Sequence, residues 1–143
     1  MKKLNSFYPV ISAENPQALV NFLLNELSFK AVFTSDWYWH LSLQGRPEVN
    51  IAIVDCHHES IPEGFRQPVQ GLLLNFEMAD ITSYYQEVST KAWKILLPLR
   101  DEEWGQRHFI AATPEPGLML DMIELIQPSD EFQKLYNNET ELA

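Results

Sequence analysis

Apolar and polar residues alternate along the chain with periods that change in a fixed order. Residues 7–13 (FYPVISA) are typical of a short strand, and Asn15 before Pro16 is typical of a helix start. In the next segment apolar residues recur every three or four positions, as on one buried helix face: Leu19, Phe22, Leu23 and Leu27. The chain is therefore predicted to open with a strand and a helix that ends near Ser28.

Three β-branched or aromatic runs follow this helix, and short polar segments separate them. Runs of this length between turn residues predict strands. They cover residues 29–34 (FKAVFT), 38–43 (YWHLSL) and 49–54 (VNIAIV). The first half, about residues 5–55, is thus predicted to have the order β-α-β-β-β.

The same order returns after a polar, proline-containing connection over about residues 56–68. Asp80 is a candidate N-cap for the second helix, which has apolar residues at helical spacing. The predicted elements are a strand over 69–77, a helix over 81–92 and strands over 93–99, 107–112 and 118–126. The second half, about residues 69–127, therefore repeats the order of the first.

Two such halves predict an α+β fold, because neither half can bury a sheet face alone. We expect one domain, residues 1–143, in which the two βαβββ modules combine around a shared cleft. Residues 128–143 are expected to form a C-terminal tail with a short helix and a frayed end.

Composition narrows the class of protein. A chain of 143 residues can form a substantial hydrophobic core without stabilising disulfides or metals. The single cysteine, Cys56, allows no intrachain disulfide. We therefore expect a reduced, cytoplasmic setting. Ten basic against twenty acidic residues give a net charge of −10, which argues against nucleic acid and anionic membranes as partners.

Three segments carry a more specific pattern. AENPQALVNFLLNELSFK ends in Leu27-Ser28-Phe29, and NFEMADI joins a strand to a helix. EEWGQRHFIAATPEPGLMLDMIEL combines Trp104-Gly105 with a later Pro and Gly. Together they resemble the glyoxalase, bleomycin-resistance and dioxygenase (vicinal oxygen chelate) superfamily, and the third segment resembles its bleomycin-resistance branch. Ser28 stands where that family has glycine in an LGF-like element, and Thr113 and Glu115-Pro116 depart from its DP-x-G turn.

The likeness spans about residues 7–126 and implies paired βαβββ modules and, commonly, a homodimer. Enzymes of the superfamily usually hold a divalent metal with His and Glu side chains on the first and last strands of each half. Here Tyr8 and Leu73 fall at or beside the histidine positions, and only a last-strand carboxylate remains, as Asp121. A metal needs several converging ligands, so we expect no metal and no other cofactor.

The four histidines do not change this expectation. His57 and His58 are adjacent, and neighbouring side chains on extended backbone point to opposite faces, so we expect a solvated loop there rather than a zinc site. Cys56 is expected to be an ordinary thiol, and catalytic residues cannot be assigned.

Aromatic residues are the more informative feature. Strand alternation places Trp37 and Trp39 with Leu41 on one face and Tyr38 with His40 on the other. An aromatic slot with a few polar groups is the usual form of a small-molecule site. The predicted ligand-binding residues are Trp37, Trp39, His40, Trp104, Arg107, Phe109 and Asp121.

The sequence favours a metal-independent protein that binds or sequesters a planar or hydrophobic compound, as bleomycin-resistance proteins do, with Trp39 and Trp104 as fluorescent reporters. One alternative is a divergent metal-dependent lyase, isomerase or dioxygenase. Another is a structural or regulatory dimer without a ligand, in which the aromatic residues are buried at the interface.

Overall fold

The computed structural model describes residues 1–137, and these form two compact units. The first unit contains Met1–Leu72 and Thr113–Leu118. The second contains Leu73–Ala112 and the described residues from Met119 onward. The last six residues, 138–143, which include the predicted frayed end, lie outside the described residues.

Strands and helices follow one another in the predicted order. The first unit has β1 (Val10–Ala13), α1 (Pro16–Glu26), β2 (Phe29–Thr34), β3 (Tyr38–Leu43) and β4 (Arg46–Asp55) in a sheet ordered β1-β4-β3-β2. A short 3₁₀ helix covers Glu63–Phe65. Then come β5 (Leu72–Glu77), α2 (Ile81–Ser89), β6 (Ile95–Glu102), β7 (Gln106–Ala112), β8 (Leu118–Leu125) and α3 (Asp130–Gln133), with the second sheet ordered β5-β8-β7-β6. The predicted α+β fold with two β-α-β-β-β halves is confirmed.

Helix α1 begins at Pro16, whose fixed φ suits a first helical position. Asn15 precedes it as predicted, but its side chain makes no capping hydrogen bond. Its backbone N–H instead donates to Oε1 of Glu115 at 2.9 Å. The buried face of the helix consists of Leu19, Val20 and Leu23.

Ser28, two residues after the end of α1, stands where the sequence resemblance implies a glycine. Its φ is 60°, in the left-handed region that glycine adopts without strain. Its carbonyl accepts the backbone N–H of Gln44 at 3.0 Å, so the turn is tied to the end of β3.

Alternation along the strands sorts the first sheet into two faces. Trp39 and Leu41 are buried and pair with Ile53 and Ile51 of β4. Ile11 of β1 pairs with Ile53 from the other side and is also buried. We call this the helix face, because α1 packs on this sheet, and call the opposite side the open face.

The second unit is built by the same rule around α2. Asp80 caps the helix from a left-handed φ of 54°, and its side chain accepts the N–H of Ser83 at 3.4 Å. Phe109 of β7 is fully buried and lies against the rings of Tyr84 and Tyr85 on α2. His108 therefore faces the opposite, open side of this sheet.

One segment of the second half lies in the first unit. Gly117 accepts the backbone N–H groups of Gly71 and Leu72 at 2.9 and 3.3 Å. A Cβ atom on Gly117 would lie 1.9 Å from the carbonyl oxygen of Val69, so only glycine permits this approach. Val69 in turn donates to Ser12 at 2.7 Å. This is why β5 begins at Leu72 and not at residue 69.

Candidate functional site

The open face of the first sheet carries a group of aromatic side chains, which we call the aromatic surface: Tyr8, Phe33, Tyr38 and His40. The Tyr8 and His40 rings meet edge to face with centroids 4.7 Å apart, and those of Phe33 and Tyr38 with centroids 6.3 Å apart. Register explains the grouping, because Phe33 and His40 are directly paired across β2 and β3. Phe33 is 55% exposed and Tyr8 is 37% exposed, so ring surface is available to solvent.

Polar groups hold the aromatic surface in place. Nε2 of His40 lies 3.0 Å from Oδ1 of Asn50 on the neighbouring strand. Partial burial and the hydrogen-bonded hydroxyl of Tyr8 raise the pKa of Tyr38 above its ordinary value, so its phenol stays neutral and able to donate. The surface therefore combines ring faces with a few fixed polar atoms.

The open face of the second sheet carries a different group, the histidine–carboxylate cluster: Arg100, Glu102, His108 and Asp121. Nδ1 of His108 is 2.7 Å from Asp121, and its Nε2 is 2.8 Å from Glu102. Arg100 donates from Nε to the same Glu102 oxygen at 2.8 Å. The His108 side chain is only 5% exposed, so a buried imidazole is held between two carboxylates.

Within this cluster, each charged group favours the charged form of its neighbours. Burial disfavours the charged imidazolium, but hydrogen bonds and charges from Glu102 and Asp121 outweigh it and raise the pKa of His108. Hydrogen bonds from His108 and Arg100 lower the pKa of Glu102. The cluster is thus an ion pair with shared hydrogen bonds and not a site with a free base.

Two predicted ligand-binding residues lie in the core. Trp39 is 3% exposed on the helix face of the first sheet, and Phe109 is 0% exposed against α2. Neither ring offers surface to a ligand, so we remove both from the proposed binding residues. The sequence grouped Trp39 correctly with Leu41, but alternation alone does not say which face the helix covers.

The other predicted residues are divided between the two units. In the first unit, Trp37 stacks on His58 with centroids 3.5 Å apart and lies beside Tyr38 at 5.6 Å. His40, also predicted, belongs to the aromatic surface. Tyr8 and Tyr38 are not among the predicted ligand-binding residues, although the shared parity of Tyr38 and His40 indicates that these two side chains lie on one face.

In the second unit the predicted residues have local partners. Trp104 is 41% exposed, and its indole N–H donates to Gln106 at 3.0 Å. Its carbonyl accepts the hydroxyl of Tyr136, and its ring lies near Phe132, so the C-terminal segment covers part of it. Arg107 forms a bidentate ion pair with Asp101, in which Nε and Nη2 donate to the two carboxylate oxygens at 2.7 and 3.0 Å.

The metal that the family resemblance implies does not fit the residues present. Leu73 has no donor atom, and the Tyr8 phenol is hydrogen-bonded to Tyr38. Asp121 is hydrogen-bonded to Nδ1 of His108, and Nε2 of the same ring is hydrogen-bonded to Glu102. The two ring nitrogens point in different directions, so these donor atoms do not converge on one metal position. Glu124 faces the helix side and accepts the N–H of Ile81 at 3.1 Å.

A shallow pocket of about 400 Å³ lies beside the start of α2. It is lined by Glu77, Met78, Ala79, Glu124 and Leu125. Its lining contains no aromatic ring, and Glu124 already caps Ile81, so we place no ligand there. Among residues 1–137, none of the helices is long and apolar enough to cross a membrane.

Cys56, the free cysteine, is fully buried. Burial, followed by the hydrogen bond to Glu14 and neighbouring carboxylates, raises the pKa of its thiol to about 12. The free thiol is therefore protonated at neutral pH and a poor nucleophile.

Comparison with known proteins supports the fold. No family model matches the sequence, and no curated protein matches it. Among solved structures, a glyoxalase/bleomycin resistance protein/dioxygenase from Nocardioides has a TM-score of 0.69 at 13% identity, over 89% of this chain and 87% of that one. A superfamily member from Sphaerobacter thermophilus has a TM-score of 0.65 at 20% identity, over 85% and 98%.

A virulence protein from Salmonella typhimurium has a TM-score of 0.67 at 17% identity, over 88% of this chain and 100% of that one. These likenesses do not distinguish one branch of the superfamily from another. The chain has the fold of the glyoxalase/bleomycin resistance protein/dioxygenase superfamily.

Proposed function

We propose that this chain is a metal-independent small-molecule-binding protein, similar in class to bleomycin-resistance proteins. Its ligand is a planar compound, neutral or cationic, that lies against the aromatic surface of the first sheet. The observation that carries the proposal is the group of four rings on the open face, in which Tyr8 and Phe33 are exposed and Tyr38 and His40 are half-buried, with His40 held by its contact to Asn50.

The chemistry of these side chains indicates the ligand class. Tyrosine and phenylalanine rings attract planar compounds by stacking and cations through their ring faces. The tyrosine hydroxyls and His40 add polar contacts that orient a ligand. With a net charge of −10, the chain attracts cations and repels anions at long range.

We expect Tyr38→Ala to weaken binding of a planar cation by about 1–3 kcal/mol, the range for stacking on an aromatic side chain. The measurement is a fluorescence titration with an acridinium cation, its neutral analogue and a naphthalene sulfonate. Trp37 serves as reporter because its ring lies 5.6 Å from that of Tyr38. The cation and the neutral compound should bind better than the sulfonate.

Trp104→Ala is the matched control, because it removes an exposed aromatic ring from the other unit. The Trp104→Ala variant should bind the acridinium cation with the same affinity as the unchanged protein. Equal affinity of the Tyr38→Ala variant, or a loss confined to Trp104→Ala, would contradict placement of the ligand on the aromatic surface.

We also propose that the chain forms a homodimer. Strand β2 is an edge of the first sheet and leaves Val32 61% exposed, and an apolar edge strand favours pairing with a second copy. Light scattering at micromolar concentration should give twice the chain mass, and Val32→Lys should shift it toward monomer. A monomeric unchanged protein would refute the proposal.

A further inference from the structure

A group of side chains with possible metal-ligand atoms lies at one end of the first sheet. Strands β1 and β4 are parallel, and their last registered pair is Ala13 with Asp55. The N–H of Cys56 extends this pairing by donating to the carbonyl of Ala13 at 3.0 Å. Because parallel strands end at the same edge, the next residues, Glu14 and Cys56, lie side by side.

We call Glu14, Cys56 and His57 the thiol cluster. Oε2 of Glu14 lies 3.0 Å from Sγ of Cys56 and 2.8 Å from Nε2 of His57. The three donor atoms all lie within 4.8 Å of one another. Ligand atoms around a tetrahedral zinc ion are about 3.3–3.8 Å apart, given bond lengths of about 2.0–2.3 Å. Small side-chain movements would therefore create three converging ligands.

We propose that the thiol cluster binds a transition-metal ion of the zinc type through Sγ of Cys56, Nε2 of His57 and Oε2 of Glu14. Sulfur and imidazole nitrogen select zinc and its neighbours over magnesium or calcium. The Glu14 and His57 side chains are 52% and 67% exposed, which leaves a fourth position open to water or an added ligand. The thiol proton passes to solvent when the metal binds.

The surroundings of the cluster favour a cation. The charges of Glu14, Asp55 and the buried Glu115 all act on Cys56. Asp55 also accepts the backbone N–H of His57 at 2.9 Å, which fixes the turn that presents the imidazole. A divalent ion would neutralise this concentration of carboxylates and a thiolate.

This site differs from the metal position that the sequence resemblance implied. The expectation of no bound metal rested on Tyr8 and Leu73, and the thiol cluster uses neither. It shares no residue with the aromatic surface, so failure of one proposal leaves the other standing. His57 and His58 do not form a chelating pair here, because His58 bonds to Ser60 and stacks on Trp37.

The test is a titration of the full chain, freed of metal by a chelator, with Co²⁺ alone. A thiolate–cobalt charge-transfer band in the near ultraviolet should appear and saturate at one ion per chain. Replacing a residue that only supports a metal ligand lowers metal affinity by about 10- to 100-fold. His57→Gln and Glu14→Gln remove proposed ligands themselves, so each should lower Co²⁺ affinity by at least about tenfold. Cys56→Ser should abolish the band.

His58→Gln is the matched control and should leave Co²⁺ affinity unchanged. Cys56 is buried and its replacement can disturb folding, so the two variants of exposed residues decide the outcome. The absence of a charge-transfer band in the unchanged protein overturns the proposal. Unchanged affinity in His57→Gln, or an equal loss in His58→Gln, overturns it as well.

Discussion

Trp39→Ala is expected to lower the free energy of unfolding by about 3–5 kcal/mol, the cost of removing a large buried aromatic side chain. Trp39 is 3% exposed and shares the helix face with Leu41 and Ile53. Truncation leaves a cavity there that rigid strands cannot close. Urea denaturation followed by far-ultraviolet circular dichroism measures the loss without relying on the removed indole.

Trp37→Ala is the matched control, because Trp37 lies in the turn before β3 and is partly exposed. Its stacking on His58 should contribute less than core packing, so the loss should be clearly smaller. If Trp39→Ala retained full stability and lost only ligand affinity, Trp39 would be a binding residue and the core assignment would be wrong.

His108→Ala is expected to destabilise the chain at pH 6 by about 3 kcal/mol, since removal of one member of a buried ion pair leaves the others without compensation. Asp121 would lose its imidazole partner at 2.7 Å while remaining only 10% exposed. Arg107→Ala, which breaks an exposed ion pair with Asp101 in the same sheet, is the matched control and should cost much less.

The loss should depend on pH in a defined direction. The pKa of His108 is raised, so its contribution is complete below the ordinary histidine value of 6.5 and is lost as pH rises through the raised pKa. The pKa of Glu102 is lowered, so its contribution is complete above its ordinary value of 4.5 and is lost as pH falls through the lowered pKa. The difference between the unchanged protein and His108→Ala should therefore be largest between about pH 4.5 and 6.5. A difference that grew toward pH 9 would contradict the charged cluster.

Local pattern accounts for most of the fold. Period-two and helical spacing predicted the order of the strands and helices, and strands 29–34 and 38–43 match β2 and β3. Segment boundaries differed where tertiary contacts decide them. Val69 bonds to Ser12 of the first unit and Gly117 approaches Val69 closely, and such contacts leave no periodic signal near residue 69.

The candidate sites were less accessible from sequence. Alternation shows which residues share a face, but not which face α1 and α2 cover, so it does not distinguish the buried Trp39 and Phe109 from ligand-binding residues. The contact between His108 and Glu102 depends on the register of the β6–β7 hairpin, which has irregular steps between Ile95 and Arg100. The thiol cluster depends on parallel pairing of β1 and β4, which lie far apart in sequence.

In the proposed function, a planar compound binds on the aromatic surface of the first sheet. The most direct test is chemical-shift mapping of the isotope-labelled chain during titration with the acridinium cation. We expect saturable shifts at Tyr8, Phe33, Tyr38 and His40 and their strand neighbours, with the amides around Trp104 unchanged. Saturable shifts centred on Trp104 and Gln106, or no saturable shifts with this cation and its neutral analogue, would contradict it.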